Sequence, residues 1–241
     1  MNKIFEKGIL TGKVCLILIG LLFTIRPVNA QIVEYAIMRD VSNSSIDAQP
    51  LNSDIIFRKV VGELGLQDAK KGVNLHILLC GASRLPEVRL ATLPLQEGWL
   101  SSSSERTKHL RQFLTKAKAD IKFLAEHPAD QPQTNLYRAL VHLSKQFSKE
   151  STEKKIIVIS DGAEVSSVIN ANQYYQQPSD LITDFDKIIE QFQKDSPLPD
   201  LTGVEVVLVT PGSTDFHLWL SRFWVKFVQM QGGSATVRAT F

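Results

Sequence analysis

The stretch YAIMRDVSNSSI, residues 35–46, passes from an apolar run to a polar one at Arg39-Asp40. Ile32–Asp40 is apolar apart from Glu34 and Arg39, the pattern of a strand covered on both faces, and such strands are typical of parallel sheets. Asp40, Ser42 and Ser44 then occupy alternate positions. Their oxygen-bearing side chains can cap a turn, or they can form part of a metal site. The residues at the ends of the other strands decide between the two.

Working outward, the same grammar recurs. Asn52-Ser53-Asp54 offers capping residues, and Ile55, Ile56, Val60, Val61 and Leu64 continue at helical spacing to Gly65. Val73–Cys80 reads as a second strand. Val88–Leu95, set between prolines, reads as a short strand suited to a sheet edge. Ser102-Ser103-Ser104-Glu105 has the spacing of a capping box and opens a long helix through Phe113, Ala117, Ile121 and Leu124. Thr134-Asn135 starts a helix carrying Leu136, Leu140 and Leu143. Lys155–Ser160, within KKIIVIS, is a strand that runs directly into Asp161-Gly162. A helix is expected over Ser179–Lys194, a strand over Val204–Thr210, a helix from Asp215 to about Gln231 and a last strand over Ala235–Phe241. Strands alternating with helices predict an α/β fold: a doubly wound, mostly parallel central sheet with helices on both faces. Ligands of such sheets bind beyond the carboxyl ends of the strands, where strand order reverses.

The first thirty residues read differently. Lys3, Lys7 and Lys13 precede an apolar run, Val14–Ile25, that is shorter than the ~20 residues a membrane-spanning helix needs. Arg26-Pro27 ends it, and Val28-Asn29-Ala30 has the small residues of a cleavage site. Residues 1–30 are therefore expected to be a secretory signal peptide, and residues 31–241 a single exported domain, secreted or periplasmic, with no membrane span after cleavage. The retained-anchor alternative is kept open by Arg26. Without these residues, the 27 basic and 25 acidic side chains of the chain fall to 23 and 24. That balance gives no reason to expect nucleic acid as a partner. Cys80 is then the only cysteine, so the domain must be held by its core and not by a disulfide.

Five short oxygen-bearing side chains stand at the predicted strand ends: Asp40, Ser42, Ser44, Thr134 and Asp161. Each has an ordinary explanation as a turn or helix cap. Together they make a set with two negative charges, suited to a hard divalent cation such as Mg²⁺, with Mn²⁺ or Ca²⁺ as alternatives. The set contains no His or Cys, which argues against zinc and copper. DVSNS (Asp40–Ser44), TNLYRAL (Thr134–Leu140) and IVISDG (Ile157–Gly162) together resemble the von Willebrand factor type A (VWA) domain and its metal-ion-dependent adhesion site. The resemblance covers Ile32 to about Gly232. It implies a Rossmann-like fold. It also implies that Ser42, Ser44 and Thr134 offer hydroxyls to the ion while Asp40 and Asp161 act directly or through water. A partner's acidic side chain would complete the shell. Asn43 and Gln133 depart from the family, which often has glycine at both places.

The function expected is a metal-dependent protein-binding module of adhesion or scaffold type, not an enzyme. Two alternatives are a metal-dependent hydrolase, with Glu164 as the nearest proton acceptor, and a scaffold whose metal site is vestigial. The helix FHLWLSRFWVKFVQM (Phe216–Met230) carries two apolar stripes. The second includes Trp224, which is expected either to lie in the core or to anchor a second protein contact.

Overall fold

A computed structural model describes residues 31–44, 50–68, 70–81, 88–96 and 103–241. The signal-peptide expectation for residues 1–30 and the first residue of the capping box, Ser102, lie outside the described residues. Gln31–Phe241 forms one compact unit.

Six strands, β1 (Gln31–Asp40), β2 (Lys71–Cys80), β3 (Val88–Leu93), β4 (Glu153–Ile159), β5 (Val204–Val209) and β6 (Ser234–Arg238), form one sheet in the order β3-β2-β1-β4-β5-β6. Only β3 runs antiparallel, and it occupies one edge as its flanking prolines suggest. The helices are α1 (Ser53–Leu64), α2 (Ser103–Glu126), α3 (Leu136–Gln146), α4 (Asp180–Thr183), α5 (Phe185–Asp195) and α6 (Asp215–Met230). The chain is thus an α/β protein with a six-stranded, mostly parallel sheet.

Alternation along the central strands divides the core in two. Val33, Tyr35 and Ile37 of β1 pack with Ile56 and Val60 of α1 and with Phe113, Ala117 and Ile121 of α2. Ala36 and Met38 face the other layer, where α3, α5 and α6 supply Leu140, Phe192 and Phe227. The helix ends are set by local chemistry. Asn52 Oδ1 accepts from the amides of Asp54 (3.1 Å) and Ile55 (3.0 Å), and Gly65 closes α1 at φ 59°.

The structure corrects two expectations and decides a third. The single helix expected over Ser179–Lys194 is broken at Asp184, whose carboxylate accepts from the Tyr174 hydroxyl at 3.1 Å. The last strand ends at Arg238, short of Phe241. Of the two alternatives for Trp224, the core one holds: the residue is 3% exposed.

Two charged residues inside β1 have partners far along the chain. Glu34 accepts from His76 (2.6 Å), Asn74 Nδ2 (3.0 Å) and the Ser148 amide (3.1 Å). Burial opposes the charge on Glu34, but these bonds hold it below the ordinary carboxylate range. Arg39 Nη1 donates to the carbonyls of Leu124 (2.7 Å), Ala125 (3.0 Å) and His127 (2.9 Å). It thereby satisfies the C-terminal carbonyls of α2 that have no partner within the helix.

Candidate metal centre

Strand order turns at β1: β2 and β3 extend one way from it, β4, β5 and β6 the other. Parallel pairing sets Arg39 level with Ile159. The next residue on each strand, Asp40 and Ser160, therefore emerges at the carboxyl edge of the parallel strands, where ligands of open α/β sheets bind.

Asp40 is fully buried there. Its Oδ1 accepts from the Ser42 amide at 2.8 Å and from Thr134 Oγ1 at 3.4 Å, and its Oδ2 accepts from Ser160 Oγ at 2.8 Å. Ser42 also offers its hydroxyl to the same carboxylate. Burial raises the Asp40 pKa to about 7, and the negative charge of Asp161 adds to the rise, against the hydrogen bonds from Ser42 and Ser160. The residue after Asp161, Gly162, has φ 83°, a conformation that strains any residue with a Cβ. The turn it makes lets Asp161 Oδ1 accept from the Ala163 amide at 2.8 Å.

Two sets of backbone bonds hold the loops together. The Asn43 amide donates to Gln131 O (2.9 Å), and the Gln131 amide donates to Val41 O (3.0 Å). Thr134 and Val165 exchange both of their backbone bonds, at 3.0 and 3.2 Å. The Thr134 loop is thus tied to both the Asp40 loop and the Asp161 loop. Of the expected set, Asp40, Ser42 and Thr134 meet directly, Asp161 acts on Asp40 electrostatically, and Ser44 lies half-buried in the same loop as Ser42. Among the described residues no group of three or more His, Cys, Asp or Glu side chains could hold a metal ion. The set here has two such residues and is otherwise hydroxyl.

Ser160 was not among the expected site residues. Its position at a strand end, beside the candidate ligand Asp161, was the one available signal. Glu164, the expected base of a hydrolase, is buried and accepts from the Tyr137 amide at the start of α3 (3.2 Å). Burial raises its pKa to about 7 as well.

Gly81 marks how closely the loops approach. A Cβ there would lie 2.8 Å from Val41 Cγ2 and 2.9 Å from Gln131 Cγ. Gly81→Ala is expected to cost about 1–3 kcal/mol as overpacking, read as a lower urea midpoint. An unchanged midpoint would mean that the two loops yield freely.

No family model matches the chain, and no curated protein matches it. Among solved structures it is similar to the PilB minor pilin from Streptococcus sanguinis, at 13% identity over 88% of this chain and 58% of that one, with a TM-score of 0.46. A point mutant of that pilin gives 11% identity, the same coverage and a TM-score of 0.47. Proximal thread matrix protein 1 from the mussel byssus gives 14% identity over 88% of this chain and 42% of that one, with a TM-score of 0.40. The chain therefore spans less than two thirds of either protein. Likenesses at these scores bear on neither the detail of the fold nor the function. No helix among the described residues is long and apolar enough to cross a membrane.

Proposed function

We propose that this chain is an exported protein-binding module of the VWA type, doubly wound, that takes a divalent cation at Asp40, Ser42, Ser44, Thr134 and Asp161. The observation that carries the reading is the buried Asp40 carboxylate. Hydroxyls from three loops and the Ser42 amide converge on it, with a second carboxylate close enough to oppose its charge. An oxygen-only donor set with two negative charges fits Mg²⁺, Mn²⁺ or Ca²⁺. When bound, such a cation offers a Lewis-acidic position to an anionic ligand, and an acidic side chain of a partner protein has that chemistry. The chain's own residues fix the donors. Ser160 and the Ser42 amide orient Asp40, and the Thr134–Val165 bonds hold the third loop beside it. The hydrolase alternative needs Glu164, one of whose oxygens accepts from the Tyr137 amide at the start of α3.

Isothermal titration with MgCl₂ and MnCl₂ tests the proposal. The native protein is expected to bind one ion, and Asp40→Ala none. Because the cation competes with the proton on Asp40, affinity is expected to fall about tenfold per pH unit below about pH 7. No heat of binding in the native protein at pH 8 would sink the metal reading.

A further inference from the structure

A second surface lies at the opposite edge of the sheet from β3. β6 closes that edge, and no described strand pairs with its outer side. Between β6 and α6 runs a groove of about 550 Å³. Leu218, Arg222, Val225 and Gln229 line it from the helix at helical spacing, with Lys226 beside them. Val237 and Arg238 line it from the strand. Leu218 is 50% and Val237 46% exposed, although both are large and apolar.

The charge of the groove is one-sided. Arg222 and Lys226 are joined to no described carboxylate in an ion pair, whereas the Arg238 side chain turns to the other face of the sheet, where its charge acts on Glu63. Arg222 stacks over Trp219 at 4.5 Å and Lys226 over Phe185 at 3.9 Å, contacts that fix the two side chains without neutralising them. Asp215, at the start of α6, is the sole carboxylate of the lining.

The backbone of β6 is available as well. The Arg238 carbonyl faces β5, where it accepts from the Thr210 amide at 2.9 Å. Successive residues of a strand turn their peptide groups to opposite sides, so the N–H and C=O of Val237 face outward. The stripe from Leu218 to Gln229 spans about 17 Å along the helix, the length of about five extended residues. β6 itself has five residues, Ser234–Arg238.

We propose that the groove between α6 and β6 receives an extended acidic segment of a partner protein, which adds to β6 as a seventh strand. Main-chain bonds to Val237 would supply affinity, and the acidic side chains, all on the face of the added strand that looks toward α6, would meet Arg222 and Lys226 above the Leu218–Val225–Val237 wall. A second copy of this chain is the poorer occupant, because a two-fold contact through the groove brings Arg222 and Lys226 of one copy against the same cationic patch of the other. The surface is separate from the metal centre at β1 and β4.

The test uses a fluorescein-labelled peptide of alternating valine and glutamate, its valine–lysine counterpart, and fluorescence anisotropy with residues 31–241. The glutamate peptide is expected to bind and the lysine peptide not. Arg222→Glu combined with Lys226→Glu should weaken binding at least tenfold while the protein still unfolds in one cooperative urea transition, because neither residue is in the core. Val237→Pro removes the outward amide and leaves the β5 ladder intact, so it should abolish binding. EDTA and Asp40→Ala should leave binding unchanged, which keeps this test separate from that of the metal centre. Equal binding of the two peptides, or binding indifferent to both variants, overturns the proposal. So does a self-dimer that Val237→Pro dissolves.

Discussion

Trp224→Ala is expected to lower the stability of the domain by about 3–5 kcal/mol, the range for truncating a large core aromatic. The indole sits among α5 and α6 side chains. It stacks near-parallel on Phe192 (centroids 6.3 Å) and meets the edges of Phe223 (5.4 Å) and Phe227 (5.6 Å). Its Nε1 donates to Gly162 O at 2.8 Å, tying the last helix to the residue after Asp161. Alanine removes both the packing and the donor. Trp224→Phe separates them: it keeps most of the apolar volume and leaves the Gly162 carbonyl unsatisfied, for about 1–3 kcal/mol. Urea unfolding with matched slopes reads both values. A loss below about 1 kcal/mol for the alanine variant would mean that Trp224 packs loosely, against the burial seen.

The elements of this fold were legible because the central strands are covered on both sides. β1, β2, β4 and β5 each show a long apolar run, and a strand end is easy to see where such a run meets Asp40 or Asp161. Local patterns do not carry long-range partners. Nothing near Arg39 in sequence announces that it holds the end of α2, whose last carbonyls lie 85 to 88 residues on. Glu34 reads as an interruption of the first strand, yet it has a partner in His76, 42 residues on. Ser160 belongs to the site because parallel register sets it beside Asp40, 120 residues earlier. The break at Asp184 was hidden because Leu181, Phe185, Ile188 and Phe192 keep helical spacing across it. The cluster of short oxygen-bearing side chains around Asp40 was visible for the opposite reason: its members sit next to strand ends, where topology brings separate loops together.

Asp40→Asn is expected to stabilise the metal-free domain at pH 8 while removing its response to Mg²⁺. Asp40 titrates near pH 7 when folded, against an ordinary value of 3.8. The folded chain therefore holds this proton more tightly than the unfolded chain. Below about pH 4 both states are protonated, and the stability is complete. As pH rises from 4 to 7 the unfolded chain releases its proton first, and stability falls by about 1.4 kcal/mol per pH unit. Above pH 7 both states are ionised and the loss levels off, at a total on the order of 4 kcal/mol. Asparagine keeps an acceptor for the Ser42 amide and carries no charge, so it escapes this loss. Urea unfolding of both proteins in EDTA should show the variant more stable at pH 8 and the difference shrinking toward pH 4. Glu164 titrates in both proteins and cancels in the difference. Added Mg²⁺ should then stabilise the native protein at pH 8, as any ligand of the folded state does, and leave Asp40→Asn where it was. Equal stabilities at pH 8 in EDTA would show that the Asp40 charge is not held at a cost. The site would then gain no stability from neutralising it with a cation.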